Sequence, residues 1–188
     1  MKTLTKIINS QRFIAKTDAT LEFQAQRLLT HISQVNSYKL RDKFAIRMGW
    51  SNYILSEQRD GFHILVPDYK RIPFKHTSED LTIALWVQWE QESLLRKLGV
   101  EGEAAFFTDQ IIAAKGALEQ DEIWLEKKIN TEKAPYWVIG SRHCDAQETH
   151  SFFAYELLKK RPYLLQILPL PVGSIVQIEG ENIASITL

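Results

Sequence analysis

Tyr53-Ile54-Leu55 and Phe62-His63-Ile64-Leu65-Val66 flank Arg59-Asp60-Gly61, within a stretch covering residues 49–67. Two β-rich runs around Asp-Gly read as a β-hairpin, because Asp-Gly supplies the positive φ angles that tight hairpin turns demand. Pro67 and Pro73 mark the exit into a loop. Upstream, Leu21, Ala25, Leu28, Leu29, Ile32 and Val35 recur at helical spacing, with Glu22, Gln26, Arg27 and Gln34 opposite them. Asp18 stands where it can cap that helix. Downstream, Thr77-Ser78-Glu79-Asp80 opens a second helix, with Thr77 or Ser78 as its cap. Arg96 and Lys97 suit its negative end and Gly99 stops it. Its stripe of Leu81, Ala84, Leu85, Val87, Leu94, Leu95 and Leu98 is widened by Trp86 and Trp89.

Beyond Gly99 the pattern turns mostly to strands. Residues 104–107 and 109–114 read as strands, with a helix ending near Gly116 as the alternative. Ile123, Leu125, Lys127 and Ile129 alternate with Trp124, Glu126 and Lys128, which favours a strand, and residues 136–139 give another. Asp145 with Glu148 three residues on resembles a capping box before a third helix reaching about Arg161. Residues 163–168, 174–178 and 183–188 are β-rich, with Gly180-Glu181-Asn182 as the turn between the last two. The expected fold class is therefore α+β, with antiparallel sheet or sheets packed against about three main helices. One domain spans residues 1–188, and a C-terminal β-rich subdomain over residues 135–188 is the one subdivision the pattern suggests.

The chain has 188 residues, with 23 Lys+Arg against 23 Asp+Glu. A zero sum argues against a protein that binds nucleic acid mainly by neutralising phosphates. One cysteine, Cys144, excludes an intrachain disulfide and a cysteine-based zinc cluster, and it suits a reducing cytoplasm. The first residues do not develop the apolar core of a signal peptide. No stretch approaches the roughly 18 uncharged apolar residues of a membrane span. The expectation is a cytoplasmic protein with neither nucleic acid nor membrane as partner.

Charge is uneven even so. Residues 38–75 hold eight Lys/Arg and four Asp/Glu, a net of +4, whereas residues 99–132 hold three Lys and eight Asp/Glu, a net of −5. The densest acidic run contains Glu119, Asp121, Glu122 and Glu126, with Trp124 among them. Such a run is usually a solvated edge. Here it also reads as an anionic patch that steers a basic partner and anchors it on Trp124. Trp86 and Trp89 are the tryptophans most in excess of core needs, and form the second candidate contact, with a partner or with a second copy as a homodimer. His143, Cys144, Asp145, Glu148 and His150 offer an alternative metal-binding or small enzymatic site, although their spacing matches no metal motif. Glycine-rich phosphate loops and a Gly-x-Ser-x-Gly elbow are absent, and no cofactor is expected.

Several segments taken together resemble a bacterial immunity-protein family, the immunity-protein-thirty-three-like group. They are Gly49-Trp50-Ser51, Pro67-Asp68-Tyr69, Leu94-Leu95-Arg96-Lys97-Leu98-Gly99-Val100-Glu101-Gly102, Lys115-Gly116-Ala117-Leu118, Ile123-Trp124-Leu125-Glu126-Lys127 and Tyr136-Trp137-Val138-Ile139-Gly140. The resemblance covers residues 44–140, and the last 45 or so residues have no counterpart in it. It implies a cytoplasmic protein that binds and neutralises a cognate toxin domain and carries out no chemistry of its own.

Overall fold

Each of two sheets organises its own half of the chain in the computed structural model, which describes all 188 residues. The chain divides into two compact units, residues 1–89 and residues 90–188. The division falls inside the helix of residues 82–98.

The first unit begins with a hairpin that the sequence reading missed, β1 (Lys2–Ile8) and β2 (Gln11–Thr17). Its turn is Asn9-Ser10, both at positive φ, 49° and 63°. Asn tolerates that region better than most residues, but Ser in place of Gly hides the turn from pattern reading. Asp18 then caps as expected, its Oδ1 accepting from the Thr20 N–H at 2.9 Å, and one 3₁₀ turn leads into α1 (Glu22–Ser33). A short β3 (Ala45–Met48) precedes the anticipated hairpin of β4 (Ser51–Gln58) and β5 (Gly61–Pro67). Gln58 pairs with Gly61, so the loop is Arg59-Asp60, neither of them at positive φ. Gly61 takes φ +137°, and a Cβ there would overlap the Arg12 carbonyl. Glycine is needed here mainly because β2 passes so close.

That approach reflects the first correction to the expected sheet. The order is β1-β2-β5-β4-β3, and β2 runs parallel to β5 through Phe13↔Phe62 and Ile14↔His63. The sheet is therefore mixed. Helix α1, β3 and β4 intervene in the chain between the two parallel strands, as a crossover connection requires. Thr77–Ser78 forms a two-residue β6 on β5 instead of the helix cap. The cap role falls to Asp80, whose Oδ1 accepts from the Thr82 N–H at 3.0 Å and starts α2 (Thr82–Leu98). Gly99 ends the helix at φ +67°, as expected.

The second unit takes the C-terminal part of α2 and a sheet ordered β10-β7-β9-β8-β11-β12. Its strands are β7 (Gln110–Ala114), β8 (Glu122–Ile129), β9 (Pro135–Gly140), β10 (Thr149–Phe153), β11 (Ile175–Glu179) and β12 (Asn182–Thr187). Strands β7 and β9 are parallel, so this sheet is mixed too. Residues 104–107 form no strand. The helix expected from Asp145 to Arg161 is replaced by β10, a 3₁₀ turn and the single-turn α3 (Leu157–Lys160). Asp145 instead accepts from the Gln147 N–H at 2.8 Å, an Asx turn that imitates the start of a helix. Residues 163–168 are mostly 3₁₀ helix (Pro162–Ile167) in place of a strand, because Leu164, Leu165 and Ile167 turn their side chains into the core.

One face of this second sheet is closed by that 3₁₀ segment. Trp137 Nε1 donates to Leu168 O at 3.2 Å. Lys127, almost fully buried at 3% side-chain exposure, donates from Nζ to Leu168 O and Leu170 O at 3.1 and 2.7 Å and meets Glu103 at 3.0 Å. Burial pushes the Glu103 carboxyl up, but the Val172 N–H and Lys127 outweigh it and hold that carboxyl below its ordinary value. At the far edge, Gln177 pairs with Ser185 and Ile178 with Ile183, leaving Ala184 as an extra residue. This bulge keeps Ile183 and Ile186 on the same face, opposite the inward-facing Ile178 and Val176.

Candidate functional site

The opposite face of the second sheet is open. Alternation along β8 buries Ile123, Leu125 and Lys127 and turns Glu122, Trp124, Glu126 and Lys128 outward. Cross-strand register extends this pattern over the whole sheet. One row runs Gly140, Trp124, Gln177 and Ser185. The next runs Ser151, Ile112, Val138, Glu126, Ile175 and Thr187. Glu122 stands directly opposite Glu179 and Lys128 opposite Tyr136. The face thus mixes Trp124, Ile112, Val138, Ile175 and Tyr136 with carboxylates, and Trp124 and Ile175 are 36% and 41% exposed.

Trp124 is seated as well as exposed. Its indole lies against Gly140 of β9, where a Cβ would come within 2.5 Å of Cε2 and 2.9 Å of Nε1. With the ring in this position only glycine fits at residue 140, so the indole packs directly on the neighbouring strand. Beside it is a groove of about 240 Å³ lined by Glu122, Trp124, Arg142, Gln177 and Glu179. Arg142 pairs with Glu122, and Lys128 pairs with Glu126 at 2.8 Å. The acidic run is therefore partly compensated where it lies on the sheet. Exposed pairs of this kind are held weakly, by about 0–1 kcal/mol.

The remaining acidic candidates sit at the end of the sheet. Glu119 ends a 3₁₀ turn and Asp121 lies in the bend before β8, both exposed. Arg161 organises this end, donating to Leu118 O at 2.6 Å, Gln120 O at 2.5 Å and Gly180 O at 3.3 Å. The Gly180 N–H in turn donates to Asp121 O at 2.8 Å. The loops carrying Glu119 and Asp121, and Gly180 and Glu181, are thereby tied together.

Of the seven residues singled out from sequence, Glu122, Trp124 and Glu126 share one face, with Glu119 and Asp121 on the loop before it. Trp86 and Trp89 belong to the first unit, half-buried and exposed respectively. Arg142, Gln177, Glu179, Ile175, Val138 and Tyr136 were missed. Their alternation was visible in part, but only long-range register places them beside Trp124. The alternative cluster is dispersed. His143 and Cys144 lie on a turn closed by Cys144 N–H to Ser141 O at 3.2 Å, Glu148 pairs with Lys115 at 2.9 Å, and His150 stacks on Phe152 with centroids 5.5 Å apart. No group of three or more His, Cys, Asp or Glu side chains is arranged to hold a metal ion.

A mixed sheet packed on one side, with an open face built around a seated tryptophan, defines the class: an α+β protein with a free sheet surface. Residues 90–187 match the family model of the Imm33-like domain, which is 98 of the 188 residues. The chain belongs to this immunity-protein family. No curated protein and no solved structure matches it. The match also corrects the extent of the resemblance. It begins at residue 90, so the segments around Gly49 and Asp68 lie outside it, and it includes the C-terminal residues that had no counterpart.

Proposed function

We propose that the protein is a cytoplasmic immunity protein that binds a cognate toxin domain and neutralises it by contact, without chemistry of its own. The observation that carries this reading is Trp124, a large aromatic held exposed on an open sheet face within the family-matched region. Rigid aromatic side chains on an otherwise polar surface are the usual anchors of protein–protein contacts. Glu119, Asp121, Glu122 and Glu126 border that anchor and bias the encounter toward a basic surface. Occlusion of the toxin's active site, or of its delivery partner, follows from such a contact. Trp86 and Trp89 form the secondary contact candidate.

The test is co-expression with a candidate toxin taken from a reading frame that adjoins this chain's own, read as cell growth and as affinity of the purified pair. Trp124→Ala should weaken binding by about 2 kcal/mol or more, roughly thirtyfold, with protection falling in step. Asp121→Lys with Glu122→Lys should slow association and remove much of its salt dependence. Unchanged affinity and protection in the triple variant would remove this face from consideration.

A further inference from the structure

A second surface, in the first unit and outside the family match, has a different chemistry. Residues 68–76 leave β5 and return to β6 as a closed loop, with the Asp68 N–H donating to His76 O at 2.8 Å. Inside it, Arg71 N–H donates to Asp68 O at 3.1 Å, and Lys75 and His76 N–H groups both donate to Ile72 O at 3.0 Å. Tyr69 pins the loop down. It is buried, stacks on Trp50 with centroids 5.0 Å apart, and shares a 2.7 Å hydrogen bond with Ser51. Pro73 turns inward, and its neighbours Ile72 and Phe74 turn outward, 50% and 56% exposed. Lys70, Arg71 and Lys75 are exposed around them. Nearby acids are Asp68, which accepts from the Lys70 N–H at 3.1 Å, and Asp80, which caps α2 and lies 4.0 Å from Lys70 Nζ.

We infer that this loop docks on an anionic lipid surface, inserting Ile72 and Phe74 below the headgroups while Lys70, Arg71 and Lys75 meet the phosphates. An apolar pair collared by cations needs no shaped pocket, because hydrocarbon accepts any apolar outline and anionic headgroups attract the collar. Nucleic acid fits less well: the loop offers one exposed ring for stacking, and an aliphatic Ile72 beside it provides no stacking platform. The unit's overall charge agrees, with thirteen Lys/Arg against eight Asp/Glu in residues 1–89, a net of +5. No helix is long and apolar enough to cross a membrane. Crossing is a separate matter from resting on the surface, and the loop bears only on the latter.

Flotation of the intact protein with phosphatidylcholine vesicles, with and without phosphatidylglycerol, tests this. Binding should require the anionic lipid and weaken with salt. Each cation contributes about fivefold near such a surface, so Lys70→Gln, Arg71→Gln and Lys75→Gln together should cut partitioning by about a hundredfold. Ile72→Ser with Phe74→Ser should cut it by roughly tenfold or more at unchanged charge. Circular dichroism confirms that each variant folds. Absence of vesicle binding, binding by both variants equal to that of the native protein, or preferential binding of a DNA duplex overturns the inference. Toxin affinity is a separate readout, so its loss or retention bears only on the sheet face of the second unit.

Discussion

The two sheets of this protein have similar strand numbers but use their faces differently. In the first, the central strands β2 and β5 bury consecutive residues, Phe13-Ile14-Ala15 and Phe62-His63-Ile64, so both faces are covered. In the second, β8 alternates between buried and more exposed residues from Glu122 to Lys128, β11 does so throughout, and one face is left open. Charge follows the same division. The second unit has ten Lys/Arg against fifteen Asp/Glu, a net of −5, opposite in sign to the first. The comparison separates two uses of a strand. A doubly covered sheet commits its side chains to stability, whereas a half-covered sheet keeps a surface whose loss should cost binding before it costs folding.

The comparison breaks most severely at Lys127. Lys127→Ala removes the ammonium that serves Leu170 O, leaves Leu168 O with Trp137 alone and Glu103 with the Val172 N–H alone, and should destabilise the second unit by about 3 kcal/mol, measured by urea unfolding. Next come the two glycines. Gly140→Ala displaces the Trp124 ring and Gly61→Ala forces β2 from β5, each costing about 2 kcal/mol in its own sheet. Only Gly140→Ala should also shift Trp124 fluorescence and reduce toxin binding. Equal loss of binding from both would show that the open face is not special.

A smaller effect appears in acid. Hydrogen bonds from Lys16, then Gln58, with His63 adding to them against a desolvation that opposes, hold the Glu79 carboxyl at about 2, below its ordinary 4.5. A depressed carboxyl stabilises the fold fully above about pH 4.5, and this contribution fades as pH falls toward 2. Because Glu79 is a third exposed, the loss should stay below about 1 kcal/mol. Denaturation midpoints through the acid range, with a flatter slope in Glu79→Gln, check it. Smallest of all, Ser10→Gly should raise stability by about 0.5 kcal/mol, since glycine occupies φ 63° without strain. A raised thermal midpoint is the expected reading.

The legibility of the sequence divides along physical lines. Local rules served where the determinant was local: the Asp18 cap, the Gly99 stop and the β8 alternation all stand where spacing placed them. They misled where another structure uses the same residues. Asp145 and Glu148 imitate a helix start, while the chain there is drawn into β10 by pairing with β7, nearly 40 residues earlier. The parallel pairs β2/β5 and β7/β9 likewise arise from contacts that no window of adjacent residues contains. Trp124 was legible as an exposed aromatic among acids. Its seat on Gly140 and its neighbours Gln177 and Glu179 were not, because only register brings them together.

The extra residue at Ala184 has a further consequence for life at high protein concentration. Asn182-Ile183-Ala184-Ser185-Ile186-Thr187 carries no charge and no proline that would deter a stacked ribbon from growing outward from it. A kinked border offers an approaching chain an uneven template, so fibrous growth is discouraged by geometry where composition would permit it. Deleting Ala184 should straighten that border and favour fibre growth, which thioflavin fluorescence at high protein concentration would report.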